Sequence, residues 1–163
     1  MRGEMLRIIQ ADSEEFVSKV RELMNEYSDA MGFRFRDFEK EIADLPGEYA
    51  PPEGRLLLAL EDDKAAGCVA LRKLTDDVSE MRRLYVRPEF RGKRIGRQLA
   101  ITAVDQARLI GYRSIRLITL SSMKGAVALY NSLGFREIQP YRQVPSSNAI
   151  FMELRLKQND KSS

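Results

Sequence analysis

The chain has 163 residues, of which 44% are hydrophobic and 31% charged, with a net charge of +3. That is the balance of one ordinary globular domain with a full core, without any apolar run long enough to span a membrane and without the strong positive charge that would point to nucleic acid. It has no histidine and a single cysteine, Cys68, which excludes His-based triads and an internal disulfide, makes a metal site unexpected, and points to a reducing, cytoplasmic setting. No cleaved leader is expected, because the first ten residues lack a long apolar centre.

Leu6 to Ile9 has the pattern of a first strand. Asp12 or Ser13 then offers a helix N-cap, with Glu15 in the first turn, and the helix is expected to run to about Met31. A short helix follows over Phe38 to Leu45, and Pro46 to Gly54 is too rich in Pro and Gly for regular structure. Leu56 to Leu60 and Gly67 to Leu71 form a hairpin around Glu61-Asp62-Asp63-Lys64, and Val78 to Val86 extends its sheet. Ile95, Leu99, Ala103, Ala107 and Ile110 recur at helical spacing, and Gly111 ends that helix. Ile115 to Leu120 is a strand apolar on both faces. A helix carrying Tyr130 and capped by Gly134 follows, then a closing strand pair, Phe135 to Ile138 and Ala149 to Leu156. Residues 1–156 read as a single domain and Lys157 to Ser163 as a polar tail. Such an order predicts a three-layer α/β fold with a mixed sheet.

The stretch with the most chemistry is Arg91-Gly92-Lys93-Arg94-Ile95-Gly96-Arg97, between a strand and a long helix. The first N–H groups of a helix have no partner within it and carry about half a positive charge, so a phosphate placed there meets ready donors. Gly92 and Gly96 allow close approach to the main chain, while Arg91, Lys93, Arg94 and Arg97 supply charge. Four cations at a positive helix end repel the dipole unless an anion is held there. A Walker-type loop is excluded, because Arg87 and Arg94 stand where its first Gly and its Ser or Thr belong.

Glu80 to Arg97 resembles the acetyl-CoA motif of the GNAT superfamily of N-acetyltransferases, and Ala126-Val127-Ala128-Leu129-Tyr130-Asn131-Ser132-Leu133-Gly134-Phe135 resembles that family's second signature. Both occur in the family's order and spacing, and the resemblance spans about residues 55 to 156. It implies a mostly antiparallel central sheet with helices on both faces and a V-shaped splay between the strands ending at Val86 and Leu120. It also implies acetyl-CoA as co-substrate, its pyrophosphate held by the turn formed by Arg91, Gly92, Lys93, Arg94, Ile95, Gly96 and Arg97. Two positions depart from the family pattern: Arg94 replaces the first expected Gly, and Met123 replaces a frequent Asn. With φ negative, Arg94 would present its N–H without strain; with φ positive it costs on the order of 1 kcal/mol.

Acyl transfer from a thioester needs a neutral amine, a stabilised oxyanion and a proton for the leaving thiolate. Backbone N–H groups of Leu84, Tyr85 or Val86 are candidates for the oxyanion if one edge of that strand is unpaired. Tyr130 matches the family's tyrosine near the cofactor sulfur and is the candidate acid. Glu80 is the candidate base through water, against the alternative of ion pairing with Arg82 or Arg116. Binding the small neutral fraction of the amine would need no base at all. Cys68 as an acyl carrier is the weakest idea, since a lone cysteine inside a strand belongs in a core. For the acceptor pocket, Tyr27, Phe33, Phe35 and Tyr49 are possible walls, Arg34 or Arg36 possible carboxylate ligands, and Glu39, Glu41 or Asp44 possible ammonium ligands. The expected partner is a small-molecule amine, with neither nucleic acid nor membrane, and with a homodimer as the assembly to test. Acetylation of a protein N-terminus or lysine, and a non-catalytic acyl-CoA-binding domain, are the alternatives.

Overall fold

The computed structural model describes residues 5–32 and 37–157. Phe33, Arg34, Phe35 and Arg36, and most of the expected polar tail, lie outside the described residues. The elements in chain order are β1 (Leu6–Gln10), α1 (Glu14–Met31), α2 (Phe38–Asp44), β2 (Arg55–Glu61), β3 (Lys64–Lys73), β4 (Val78–Val86), α3 (Ile95–Ile110), β5 (Ser114–Leu120), α4 (Lys124–Ser132), β6 (Arg136–Ile138) and β7 (Ala149–Arg155). Ser13 caps α1, its hydroxyl accepting a hydrogen bond from the Phe16 N–H at 3.3 Å. Gly111 closes α3 at φ 112°. The hairpin turn narrows to Asp62 and Asp63, both at positive φ (49° and 68°), the geometry of a two-residue turn that follows the strands' own twist. The Pro- and Gly-rich segment is not wholly irregular: Gly47–Tyr49 makes one 3₁₀ turn. Tyr49 anchors that turn by burying its ring almost completely, which gives the loop a hydrophobic reason to be ordered.

The seven strands form one sheet in the order β1-β2-β3-β4-β5-β7-β6, antiparallel throughout except for the parallel pair β4 and β5. Alternation sorts the apolar side chains to two faces. On one face Leu57, Val69, Leu71, Met81, Ile115 and Leu117 pack against Leu99, Ala100, Ala103 and Ala107 of α3. On the other, Leu56, Leu58, Leu60, Cys68 and Ala70 pack against Val17, Val20, Leu23 and Met24 of α1 and against Phe38 and Ile42 of α2. This is the three-layer arrangement expected.

Two irregularities at the centre of the sheet create the site. β4 and β5 pair only from Val78↔Ser114 to Glu80↔Arg116, and beyond Glu80 the two strands separate. The expected splay is therefore present, and β5 stays with β7 along its whole length. On its other edge β4 stays with β3, but Cys68 pairs with Tyr85 and Ala70 with Arg82. Arg83 and Leu84 thus oppose Val69 alone, and Arg83 takes up the extra residue at φ 61°. A bulge of this kind sharpens local twist and turns the strand away from a neighbour.

Gly67 of β3 pairs with Val86 and packs directly against the β4 backbone. A Cβ there would sit 2.5 Å from the Tyr85 carbonyl oxygen and 3.2 Å from a Leu99 methyl. Backbone on one side and core on the other leave it nowhere to move. Gly67→Ala is therefore expected to cost about 2 kcal/mol or more in chemical denaturation, and an unchanged midpoint would refute the close approach.

Candidate active site

β4 brings its open edge to a slot between the splayed strands. The Arg87 N–H donates to the Ala66 carbonyl at 2.8 Å, so by alternation Tyr85 also turns its amide to β3, where it pairs with Cys68. Val86 and Leu84 then turn their backbone groups to the slot. The Val86 carbonyl already accepts from Arg91 Nε at 3.0 Å. Of the three backbone donors considered for the oxyanion, Leu84 and Val86 thus face the slot. The Tyr85 ring lies in the core on the α1 face, 5.9 Å from Tyr27 and 5.9 Å from the Arg91 guanidinium.

The basic turn sits at the end of this edge. Arg94 precedes α3 at φ 63°, in the left-handed region, and no side chain caps the helix. The Arg94 carbonyl accepts the Gln98 N–H at 3.0 Å, so the N–H groups of Ile95, Gly96 and Arg97 precede the first intrahelical bond and remain available to an anion. Gly92, at φ 84°, makes the preceding bend. Ile95 is buried and fixes the helix on the sheet, Lys93 pairs with Glu61 at 3.0 Å, and Arg97 donates to the Ser132 hydroxyl at 2.9 Å, tying α3 to α4. A Cβ on Gly96 would make only an ordinary contact, 3.5 Å from a Val86 methyl, so packing does not require glycine there. Open backbone donors at a positive helix end, four cations and an apolar slot fit a molecule with a pyrophosphate at one end and a thioester at the other.

Between the strands lies a cavity of about 200 Å³. Its walls include Glu80 to Leu84 of β4, Leu117 to Leu120 of β5, Met123, Ala126 and Tyr130 of the α4 region, and Tyr27 and Met31 of α1. Its roof is the 139–148 segment, through Arg142, Val144, Pro145 and Ser146. Tyr130 is buried, its ring edge-on to Phe135 at 5.8 Å. Burial above all, with a smaller push from Tyr27, raises its phenol above the ordinary tyrosine value. Met123 precedes α4 and touches the Thr119 hydroxyl through sulfur at 4.0 Å.

Glu80 is the only carboxylate lining the cavity among the described residues, and it is nearly fully buried. Its Oε1 accepts from Arg72 Nε at 3.0 Å and lies 2.9 Å from Arg72 Nη2; its Oε2 accepts from the Tyr141 hydroxyl at 2.6 Å. Arg82 and Arg142 stand farther off, at 3.6 and 3.4 Å. Arg116, opposite Glu80 in register, pairs with Glu153 at 2.7 Å instead. Tyr141 is clamped further by the Phe151 ring at 5.2 Å and the Arg116 guanidinium at 5.0 Å. Proximity to Glu80 comes second to burial in raising its phenol.

Glu41 holds the bulge. It accepts from Arg83 Nε and Nη2 at 2.9 and 2.7 Å and from the Tyr49 hydroxyl at 2.7 Å. Burial alone would raise the Glu41 carboxyl, but the Arg83 guanidinium outweighs it and holds the group below its ordinary value. Glu41 is thus engaged by the protein itself, and Tyr49 belongs to the core rather than to the cavity wall. Glu39 and Asp44 point outward on α2. Of the acceptor-pocket candidates within the described residues, Tyr27 lines the cavity. Cys68 is fully buried on the α1 face, donates toward the Arg83 carbonyl at 3.5 Å, and has its thiol pushed up to about 12 by desolvation, so it is inert as a nucleophile. Tyr141 and Arg142 had no assigned role in the sequence, because Gln139-Pro140-Tyr141-Arg142 has no periodicity and only folding brings it over Glu80.

The family model "Acetyltransferase (GNAT) family" matches residues 14–135. An uncharacterized N-acetyltransferase of Schizosaccharomyces pombe is 35% identical over 147 residues, covering 89% of each chain. Among solved structures, an acetyltransferase from Streptococcus agalactiae superposes with a TM-score of 0.79 at 20% identity, over 93% of this chain and 98% of its own. The PaiA N-acetyltransferase from Thermoplasma acidophilum, solved in complex with coenzyme A, gives 0.73 at 19% identity, over 93% and 99%. The chain belongs to the GNAT acetyltransferase family, and is an acyltransferase that draws its acetyl group from acetyl-CoA. No helix among the described residues is long and apolar enough to cross a membrane.

The turn yields a paired prediction. Arg94→Gly removes a left-handed non-glycine residue and is expected to stabilise the fold by about 1 kcal/mol. Gly96→Ala is expected to leave the melting temperature of the free protein the same or higher while abolishing most of the upward shift that acetyl-CoA produces. Thermal melts with and without acetyl-CoA decide both; an undiminished shift in Gly96→Ala would remove the turn from the cofactor site.

Proposed function

We propose that this enzyme acetylates the primary amine of a small molecule by direct attack in a ternary complex, with Tyr130 protonating the leaving group. The reading is carried by one observation: the open edge of β4 and the buried Tyr130 meet across a cavity of about 200 Å³ with a loop for a roof. Cavities that hold drug-sized ligands run to roughly 300–1,000 Å³. A partly enclosed space of this size suits a small acceptor better than a folded protein surface.

When bound, acetyl-CoA supplies an activated acyl group and a thiolate leaving group. The chain supplies the remainder. The N–H groups of Ile95, Gly96 and Arg97 would hold the pyrophosphate. The N–H groups of Leu84 and Val86 on the open edge of β4 are the donors assigned to the oxyanion in this reading, and donors fixed before reaction cost no reorganisation. Tyr130 is protonated at neutral pH, since burial raises its phenol. A raised phenol is a weaker acid than a free one, so its contribution begins as a hydrogen bond to the departing sulfur and ends as proton transfer.

The amine must attack in its neutral form. Arg82, Arg83 and Arg142 line the cavity, where Glu80 is the one carboxylate among the described residues; Arg83 is neutralised from outside by Glu41, and the positive charge left over disfavours an ammonium ion. That field does part of a base's work without accepting a proton. Glu80 remains the group placed to take the proton through water. A carboxylate offers about four lone-pair sites, and Arg72 and Tyr141 already occupy most of them.

A thiol-release assay of acetyl-CoA against small amines and peptides tests the activity; turnover with peptides alone would overturn the small-molecule reading. Tyr130→Phe is expected to lower kcat about ten- to a hundredfold with acetyl-CoA binding intact, and unchanged turnover would reassign the acid. Glu80→Gln is expected to flatten the acid limb of the kcat/KM profile if Glu80 takes the proton; a preserved limb leaves the cationic field as the means of presenting neutral amine.

A further inference from the structure

The arginines around the cavity outnumber what the protein provides to neutralise them. Arg72, Arg82, Arg83 and Arg142 share Glu41, Glu48 and Glu80 among the described residues, so four guanidiniums face three carboxylates. The sharing is uneven. Arg72 holds Glu48 at 3.1 Å and Glu80 at 2.9 Å, and Arg83 takes Glu41 in a two-pronged grip. Arg82 lies 3.6 Å from an oxygen already bonded to Arg72 and 4.0 Å from Glu41, and its one hydrogen bond among the described residues goes to the Tyr49 hydroxyl at 3.2 Å. Arg142 lies 3.4 Å from an oxygen already bonded to Tyr141, and makes no hydrogen bond among the described residues. A guanidinium has five N–H donors in a planar fork. Among the described residues Arg142 spends none of them on a hydrogen bond, keeping only its 3.4 Å ion pair with Glu80, and Arg82 spends one; both line the same cavity.

The two positions differ usefully. Arg82 is sunk in β4, and burial together with its neighbours Arg83 and Arg72 disfavours its charge. It gains from any anion brought close. Arg142 is on the roof, about a third exposed, with the Tyr141 ring 6.0 Å beneath its guanidinium. It lines the same cavity as Tyr130 while keeping part of its side chain in solvent. Tyr141 fixes the roof by bonding Glu80, and so fixes Arg142 as well.

We propose that the acceptor is an amine that also carries a carboxylate, as an amino acid does, and that Arg142, backed by Arg82, receives that carboxylate and so determines which amines are acetylated. This rests on acetyl transfer to a small amine as proposed above. The planar fork of Arg142 matches the two oxygens of a carboxylate, forming charge-assisted hydrogen bonds that a neutral amine cannot offer. The single excess positive charge calls for one negative charge on the acceptor. Polyamines, which bring only positive charge, are the wrong partners for this cavity.

The test compares each of several α- and ω-amino acids with its methyl ester and with the amine lacking the carboxylate, following thiol release from acetyl-CoA. The wild-type enzyme is expected to favour the carboxylated member by tenfold or more in kcat/KM. Arg142→Gln is expected to shrink that ratio at least tenfold, mainly through the acceptor KM. Arg142→Lys, which keeps charge but not the fork, should fall between, and Arg142→Glu should shift preference toward the methyl esters. An unchanged melting temperature for acetyl-CoA-bound variants shows that fold and cofactor site are retained. Equal wild-type rates within each set, or an equal loss on every acceptor in Arg142→Gln, would overturn the proposal. Thiol release with none of the small amines tested would instead remove the small-molecule reading and this proposal with it.

Discussion

Everything at the active site depends on β4 leaving β5 after three residue pairs. A parallel pair normally continues as long as both strands do, because each further step satisfies backbone groups on both sides. Here β5 continues on β7 and β4 continues on β3, so each strand keeps one partner and gives up the other. Arg83 makes that possible. Its left-handed backbone inserts the extra residue that bends β4 away, at a cost on the order of 1 to 3 kcal/mol for a non-glycine residue, and its side chain is gripped by Glu41 from α2. The strained residue and the buried ion pair are the same residue. The bulge is held from the α2 side, and the slot opens at the edge of β4 next to β5.

The same economy runs through the charged network. Glu80 joins β3 through Arg72, the roof through Tyr141, and the cavity through its own position in the wall. Removing one partner of such a cluster leaves an uncompensated buried charge, so the cluster specifies one arrangement of the roof over the slot. Its arginines also give the cavity a positive character, on which the proposed selection of a neutral amine rests. Structure-holding and chemistry are therefore not separate duties at this site.

Much of this was legible beforehand. Ser13 as N-cap, Gly111 as helix end, the Val78 to Val86 strand and the Ile95 to Ile110 helix were all readable, since capping and periodicity act over three or four residues. The basic turn was readable for the same reason: a helix start, two glycines and four cations are contiguous. Glu80 was visible as a carboxylate on the right strand, yet the partners expected for it were only partly those it has. Arg82 stands near, Arg116 pairs elsewhere, and Arg72, Tyr141 and Arg142 were not foreseen. Tyr141 is 61 residues from Glu80, and no local pattern connects them. Glu41 looked like a surface charge available to an ammonium, because the 42 residues between it and Arg83 hide their pairing.

By itself the sequence determined the materials for the chemistry: a basic helix start with open N–H groups, a tyrosine on the following helix, a sheet to hold them apart, and no histidine to serve as base. Those features are set by residue type and short-range spacing. Only the tertiary structure decided the sign of φ at Arg83 and Arg94, which edge of β4 is open, and which charges remain unspent around the cavity. Each depends on strand register and on side chains meeting across the fold, and a one-residue change of register would turn every group on β4 to the opposite face.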